Sequence, residues 1–236
     1  MKPNVRLVSY SQPAPDAFIG IDNAQDLIAY CARVSNPTNQ TNTQTSERLL
    51  AYLAKEKHWS PFEMVSACLE IETTRDIARQ ILRHRSFSFQ EFSQRYAEQA
   101  EYKNFREARL QDPKNRQNSI DPAEMMDSDE RVDLQLDWLK KQAQVSVAVK
   151  EAYEWALENG IAKEQARAVL PEGHTTSRLY MNGTLRSWMH YIELRSGNGT
   201  QKEHQEVALA CAKELQTVFP TITEFIDVQQ DIQSDP

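Results

Sequence analysis

The feature that most limits how this chain can fold is a change of period across residues 64–83. Met64 to Glu72 (MVSACLEIE) alternates, placing Val65, Ala67, Leu69 and Ile71 on one face. That is a strand with one side turned to a core. Thr74 follows in position to cap a helix from Arg75 to about Arg83.

The rest of the chain supplies more helix than strand. Val5 to Ser9 alternates weakly and reads as an edge strand, ended by Pro13 and Pro15. Asp22 or Asn23 caps a helix through Val34, with Leu27, Ile28 and Cys31 on a shared face. Thr45 to Lys57 is a second helix with Leu49, Leu50 and Leu53 apolar. Asp112 to Asp129 is polar and proline-containing, so residues 110–130 are expected to form a loop insertion. Arg131 to Glu158 is a long helix in which Leu139, Ala143 and Val147 recur at four-residue spacing, ending at Asn159-Gly160. Lys163 to Val169 is a short helix, and Leu179 to Met181 part of a strand. Thr184 to Arg195 is helical, and Gln201 to Val218 is a last helix with Val207, Cys211 and Leu215 inward. The expected class is α+β: a helix-rich single domain, 1–236, with a central, mostly antiparallel sheet flanked by long helices.

Charge and cysteine content narrow the function. The net charge of −7 disfavours a general nucleic-acid binder, because such affinity comes from phosphate neutralisation by Lys and Arg. Three dispersed cysteines, Cys31, Cys68 and Cys211, contain no CxxC pair and read as free thiols. The five histidines lack metal-ligand spacing, so no metal is expected. The N-terminus lacks the apolar run of a signal peptide, and no segment approaches the roughly 20 apolar residues of a membrane span. A soluble cytoplasmic protein is expected. GxGxxG and GxxxxGK[ST] loops are absent, which disfavours the usual nicotinamide and ATP domains.

Against the acidic background, five arginines fall within 21 residues: Arg75, Arg79, Arg83, Arg85 and Arg95. Gln80 and Arg83 are three apart and can reach one ligand. Beyond Arg85, Ser86, Ser88 and Ser93 alternate with Phe87, Phe89 and Phe92, beside one acid, Glu91. Guanidinium forks match phosphate oxygens, hydroxyls add donors, and aromatic rings offer a stacking wall, a combination suited to a nucleoside monophosphate. Composition alone equally allows a salt-bridged surface helix followed by a core loop. A groove binding single-stranded nucleic acid through Arg and Phe is a third reading, opposed by the net charge.

The order of motifs is more specific than any one of them. HWSPFE (58–63), ARQILRHR (78–85), the RHR-x7-S signature with SQRY, ARAVLP (166–171) and LRSWMHYIELR (185–195) together resemble the flavin-dependent thymidylate synthases, from His58 to Phe225. The resemblance implies reductive methylation of dUMP to dTMP without a cysteine nucleophile. It implies FAD as cofactor, 5,10-methylenetetrahydrofolate as carbon donor and NADPH as reductant. A homotetramer with shared active sites is also implied.

Residue roles follow from the same resemblance. Gln80, Arg83, Glu91, Ser93, Gln94, Arg95 and Arg167 match dUMP-binding positions, with Arg95 and Arg167 as phosphate partners. Arg195 matches the arginine at the uracil edge, where a fixed cation favours the ring ionised at N3; it is the expected catalytic residue. His58, Ser60, Arg83, His84, Arg85, Glu91, Thr184, Arg186 and His190 match flavin positions. Gln90 and His190 stand where the pattern has Asn, and Gly199 where some members carry a histidine.

Overall fold

The computed structural model describes residues 2–15, 20–99, 103–197, 199–220 and 222. In chain order the elements are β1 (Asn4–Tyr10), α1 (Ala24–Ala32), α2 (Ser46–Lys55), β2 (Ser66–Thr74), α3 (Arg75–Ile81), β3 (Ser88–Glu91), β4 (Leu110–Gln111) and β5 (Ser119–Ile120). They continue with α4 (Ser128–Glu158), α5 (Lys163–Ala166), β6 (Thr176–Thr184), α6 (Leu185–Ser196) and α7 (Lys202–Gln216). Strands β1-β2-β6-β3 form one antiparallel sheet, and β4-β5 a small hairpin.

The sheet is built on β2 and β6. They pair over nine positions without a break, from Ser66↔Thr184 to Thr74↔Thr176. Alternation puts Ala67, Leu69 and Ile71 of β2 and Leu179 and Met181 of β6 on the covered face, all buried. Ile28, Leu50, Ile77, Trp188, Val207 and Leu215 from α1, α2, α3, α6 and α7 close over them. Each large aliphatic side chain buried there contributes roughly 1.5–3 kcal/mol. Trp188 also donates its indole N–H to the Ala67 carbonyl at 3.0 Å, tying α6 to β2. The opposite face is polar, with Arg6 and Glu70 paired at 2.9 Å.

Both central strands run straight into helices. β2 ends at Thr74 and α3 begins at Arg75; β6 ends at Thr184 and α6 begins at Leu185. The pairing is antiparallel, so the two helices start at opposite ends of the sheet.

Several sequence expectations need adjustment. The strand expected at Met64–Glu72 is shifted two residues onward, and that at Leu179–Met181 extends to nine residues. Helix α3 stops at Ile81, leaving Arg83 in the turn that follows. Residues 110–130 are not a bare loop: they hold the β4–β5 hairpin, a 3-10 turn at Pro122–Glu124 and the first turn of α4. Along α4, Leu139 and Val147 are exposed, while Gln142, Ser146, Val149, Tyr153 and Ala156 are buried. Val149, Tyr153 and Ala156 pack with Ala166 and Leu170 in a second, smaller core.

Candidate active site

The first group of site residues gathers where α3 begins. Glu91, last residue of β3, pairs with Leu179 in register, which aims its carboxylate at the start of α3. It accepts a hydrogen bond from Ser177 Oγ at 2.8 Å and lies 3.3 Å from Arg79 Nη1 and 3.7 Å from Arg75 Nη1. Glu172 meets both arginines from the other side at 3.6 and 3.5 Å. Burial, then the neighbouring charges of Arg79 and Arg167, pulls the Arg75 guanidinium below its ordinary pKa, against the opposing pull of Glu91 and Glu172. Arg95 reaches Glu164 at 3.5 Å and remains exposed. Arg167 donates from Nε to the Glu164 backbone carbonyl at 3.2 Å and pairs with no carboxylate among the described residues. Four guanidiniums therefore face three carboxylates, leaving room for an anion beside Arg95 and Arg167. Between Ser93 and Arg95, the Gln94 side chain is buried with its Nε2 donor unpartnered.

The second group lies at the far end of α3. Arg195, in the last turn of α6, donates from Nε to His84 Nε2 at 3.0 Å. A nitrogen that accepts this bond carries no proton, so His84 is neutral with its hydrogen on Nδ1. Burial and the Arg195 charge push its pKa down to about 4. The outer fork of Arg195, its two Nη groups, makes no hydrogen bond among the described residues. Beside His84 lie the ring of Tyr191, edge-on at 4.9 Å, and the fully buried His204. His204 stands between Tyr191 OH, at 3.1 Å from Nε2, and Gln80 Oε1, at 3.2 Å from Nδ1.

The third group surrounds the start of α6. Thr184 caps the helix by accepting from the Ser187 backbone N–H at 3.3 Å. Arg186 pairs with Glu63, which the 3-10 turn Ser60–Glu63 brings alongside. His190 meets Trp59 edge-on at 4.9 Å, and His58 and Ser60 are exposed nearby in sequence. Ser187 Oγ donates to the Ser86 carbonyl at 3.3 Å, which draws the RHRS turn against this helix. Arg83 and Arg85 are exposed there.

The predicted residues thus fall into three places rather than one. Glu91, Ser93, Gln94, Arg95 and Arg167 share the α3 start; Gln80, His84 and Arg195 share its end; Thr184, Arg186 and His190 share the α6 start with His58 and Ser60. Glu91 and Thr184 are five strand positions apart, roughly 17 Å. Glu164, Glu172, Ser177 and His204 were not assigned a role from sequence; they stand in no quoted motif, and strand register and helix packing bring them in. Glu63 and Tyr191 stood in quoted motifs without a role.

The aromatic wall expected from Phe87 and Phe89 is a core feature instead. Both rings pack against the main core, and Phe87 lies edge-on to Trp188 at 4.8 Å. A Cβ at Gly183 would come within 2.4 Å of the Phe87 ring, so that position is glycine for close approach. Gly199 has a φ of +92°, a conformation a histidine side chain would strain.

Beyond Gln201 the surface opens into a cleft of about 1180 Å³ between the β4–β5 hairpin, α4 and the start of α7. Arg106 lies in its wall, paired with Asp76 at 2.9 Å and with Glu203 at 2.7 Å. Among the described residues no group of His, Cys, Asp and Glu has the arrangement to hold a metal, and no helix is long and apolar enough to cross a membrane.

The α6 start and the RHR turn offer a phosphate-bearing flavin hydroxyls, an imidazole, exposed guanidiniums and a helix N-terminus, a donor set that fits such a group. Comparisons with known proteins agree with the geometry. A family model described as thymidylate synthase complementing protein matches residues 18–221. The probable flavin-dependent thymidylate synthase of Paramecium bursaria Chlorella virus 1 is 47% identical over 224 residues, covering 95% of this chain and 99% of that one. The flavin-dependent thymidylate synthase of a Synechocystis strain is 49% identical over 230 residues, with the same coverages. Among solved structures, a UMP/dUMP methylase, PolB from Streptomyces cacaoi, bound with 5-Br dUMP, superposes with a TM-score of 0.75 at 26% identity, covering 94% of this chain and 93% of that one.

Proposed function

The chain belongs to the family of flavin-dependent thymidylate synthases, and from that membership we propose how its three residue groups make dTMP from dUMP. The reaction is a reductive methylation of uracil C5, and the chain is a methyltransferase. A nucleic-acid-binding role has no support: two of the three rings proposed for stacking, Phe87 and Phe89, pack partly buried against the core.

Residues Gln80, Arg83, Glu91, Ser93, Gln94, Arg95, Arg167 and Arg195 bind dUMP. The observation that carries this reading is the guanidinium surplus beside Glu91, where Arg95 is exposed and Arg167 has no carboxylate. Those two hold the phosphate. The buried, unpartnered Gln94 amide is a donor for the same ligand. Arg195, held through Nε by neutral His84, turns its outer fork to the uracil edge and stabilises negative charge on the ring. No enzyme thiol is assigned an attack on the uracil: burial raises the pKa of Cys31 and Cys68, and burial with the charge of Glu214 raises that of Cys211 further.

His58, Ser60, Thr184, Arg186 and His190 at the α6 start, with Arg83, His84 and Arg85 of the adjoining turn and Glu91 at the α3 start, would hold FAD. Reduced flavin, when bound, supplies the hydride; NADPH restores it, and 5,10-methylenetetrahydrofolate supplies the carbon. Glu91 and Thr184 stand roughly 17 Å apart along the strand within a single chain, further than one flavin ring spans. That separation supports a homotetramer whose active sites are shared between copies. Exposed Leu136, Trp138, Val145, Val147 and Trp155 along α4 give such an assembly apolar surface to bury. Residues 1–236 act as one domain in the cytoplasm.

Purified protein is expected to bind FAD and release tritium from [5-³H]dUMP when given methylenetetrahydrofolate and NADPH. Arg195→Ala is expected to keep FAD and lose turnover. FAD-loaded protein that releases no tritium overturns the reading.

A further inference from the structure

We propose that His204 and Glu203 are positioning residues that clamp Gln80 from both ends, fixing its amide orientation so that the donor it presents to the substrate is the second amide N–H. The inference rests on Gln80 as a dUMP-binding residue and adds what sets its orientation.

The polarity of the clamp starts at Glu203. Burial raises the Glu203 pKa, but contact with the Arg106 guanidinium outweighs it and holds the carboxyl below its ordinary value. The Arg106 Nη1 contact at 2.7 Å is an ion pair rather than an aligned hydrogen bond. An ionised carboxylate only accepts, so Gln201 must present Nε2 to Glu203, at 2.8 Å. Its Oε1 is therefore what meets Gln80, at 2.8 Å, and Gln80 must answer with Nε2. That turns Gln80 Oε1 to His204 Nδ1 at 3.2 Å, which must then carry the imidazole proton. The bare Nε2 accepts from Tyr191 OH at 3.1 Å.

The links differ in their access to solvent. His204 and Tyr191 are buried, with no water to offer a substitute partner, whereas Gln201 at the other end is exposed. Gln80 itself is half-buried, with its carbonyl oxygen and one amide N–H already engaged. The donor that remains is one N–H, which can meet an oxygen or another acceptor on the ligand. A flipped Gln80 would set its N–H against the N–H of the buried His204 and its oxygen against that of the exposed Gln201, two repulsive contacts of which the first has no water to relieve it. Arg106 also lines the cleft under the β4–β5 hairpin, so this wall of the cleft sets the donor that faces the substrate.

The two amide replacements of His204 separate the ends of the clamp. Asparagine places a nitrogen near the Nδ1 position and can still donate to Gln80; glutamine reaches toward Nε2 and keeps only Tyr191. The measurement is the dUMP Kd by flavin absorbance titration of FAD-loaded tetrameric protein. Wild-type and His204→Asn are expected within about twofold of each other, while His204→Gln is about fivefold weaker, the worth of one net hydrogen bond. FAD content should be equal in both. Equal Kd values for Asn and Gln would leave His204 a packing residue and overturn the clamp. Gln80→Ala is the control on the underlying reading: if it leaves the dUMP Kd unchanged, Gln80 does not face substrate and that assignment fails. If it weakens binding while His204→Gln does not, the clamp alone fails. Should the His204 variants lose FAD, Glu203→Gln decides, since its amide lets Gln201 and Gln80 turn over: about threefold weaker dUMP binding with normal FAD is expected, and an unchanged Kd overturns the proposal.

Discussion

β2–α3 and β6–α6 are the same device used twice. In each, a nine-residue strand ends on threonine and the next residue begins a helix. Antiparallel pairing relates them, with each terminal threonine opposite the first residue of the other strand. Their electrostatics differ. At the α3 start the threonine hydroxyl donates to Asp76 at 2.5 Å rather than capping the backbone, and Arg75 and Arg79 are tied to Glu91 and Glu172. At the α6 start Thr184 does cap the backbone, the first turn has no acid of its own, and Arg186 depends on Glu63 from another segment. Identical topology thus makes one end a partly buried ion network and the other an exposed set of donors. What distinguishes them is how much solvent remains, because the same pair is strong when shielded and weak when wet.

That contrast can be broken from either side. Glu91→Ala should do most damage, leaving Arg75, whose side chain is 11% exposed, with only the more exposed Glu172 as an anionic partner. A stability loss of roughly 2–4 kcal/mol by chemical denaturation is expected. A loss below 1 kcal/mol would mean that the α3 network is as loosely held as the α6 pair. Gly183→Ala should come next, at roughly 1–3 kcal/mol, because the added methyl forces Phe87 away from Trp188. A neutral result would show that the β3 side of the sheet yields easily.

Acid should act next, through the end of α3. Burial and then the Arg195 charge hold His84 near 4 and His204, with His84 also contributing, near 3. Unfolded imidazoles titrate near ~6.5, so below that pH the unfolded chain binds protons that the folded chain refuses. Stability is flat above about pH 6.5 and falls as pH drops toward 4. The thermal midpoint should be lower at pH 5 than at 7.5, and equal midpoints would contradict the buried neutral pair. The smallest stability effect is expected from Arg186→Gln: Arg186 and Glu63 are 42% and 39% exposed, and the loss should be under about 1 kcal/mol. FAD affinity should nevertheless fall. A large loss of stability with unaltered FAD affinity would reverse the assignment of that end.

The comparison also shows why some features were legible in the chain and others not. The alternation at 65–71 identified the core face of β2 because a strand has only two faces. Val207, Cys211 and Leu215 marked the buried side of α7 for a similar reason, since its apolar residues lie along one stripe. On α4 the same reasoning failed. Apolar residues occur around most of that helix, and spacing could not say which of them this chain covers with its own residues. Gln142 is buried there because its amide bonds the backbone N–H and C=O of Arg106, at 2.7 and 2.9 Å, a partner 36 residues away. The aromatic residues of 87–92 invited a stacking role by composition, yet a glycine on the neighbouring strand had already made a seat for Phe87.

By itself the sequence determined the helix-rich α+β class, the helix starts at Thr74 and Thr184, and the ordered motifs that place the chain in its family. Those are local: period, caps and spacing depend on residues within a few turns of each other. Only the tertiary structure decided that the site residues divide into three groups, that Glu172 and Ser177 complete the Glu91 network, and that His204 and Glu203 orient Gln80. Those are non-local, because strand register and helix packing set which side chains come within about 3 Å, and a hydrogen bond's direction follows from what its partner is already bound to.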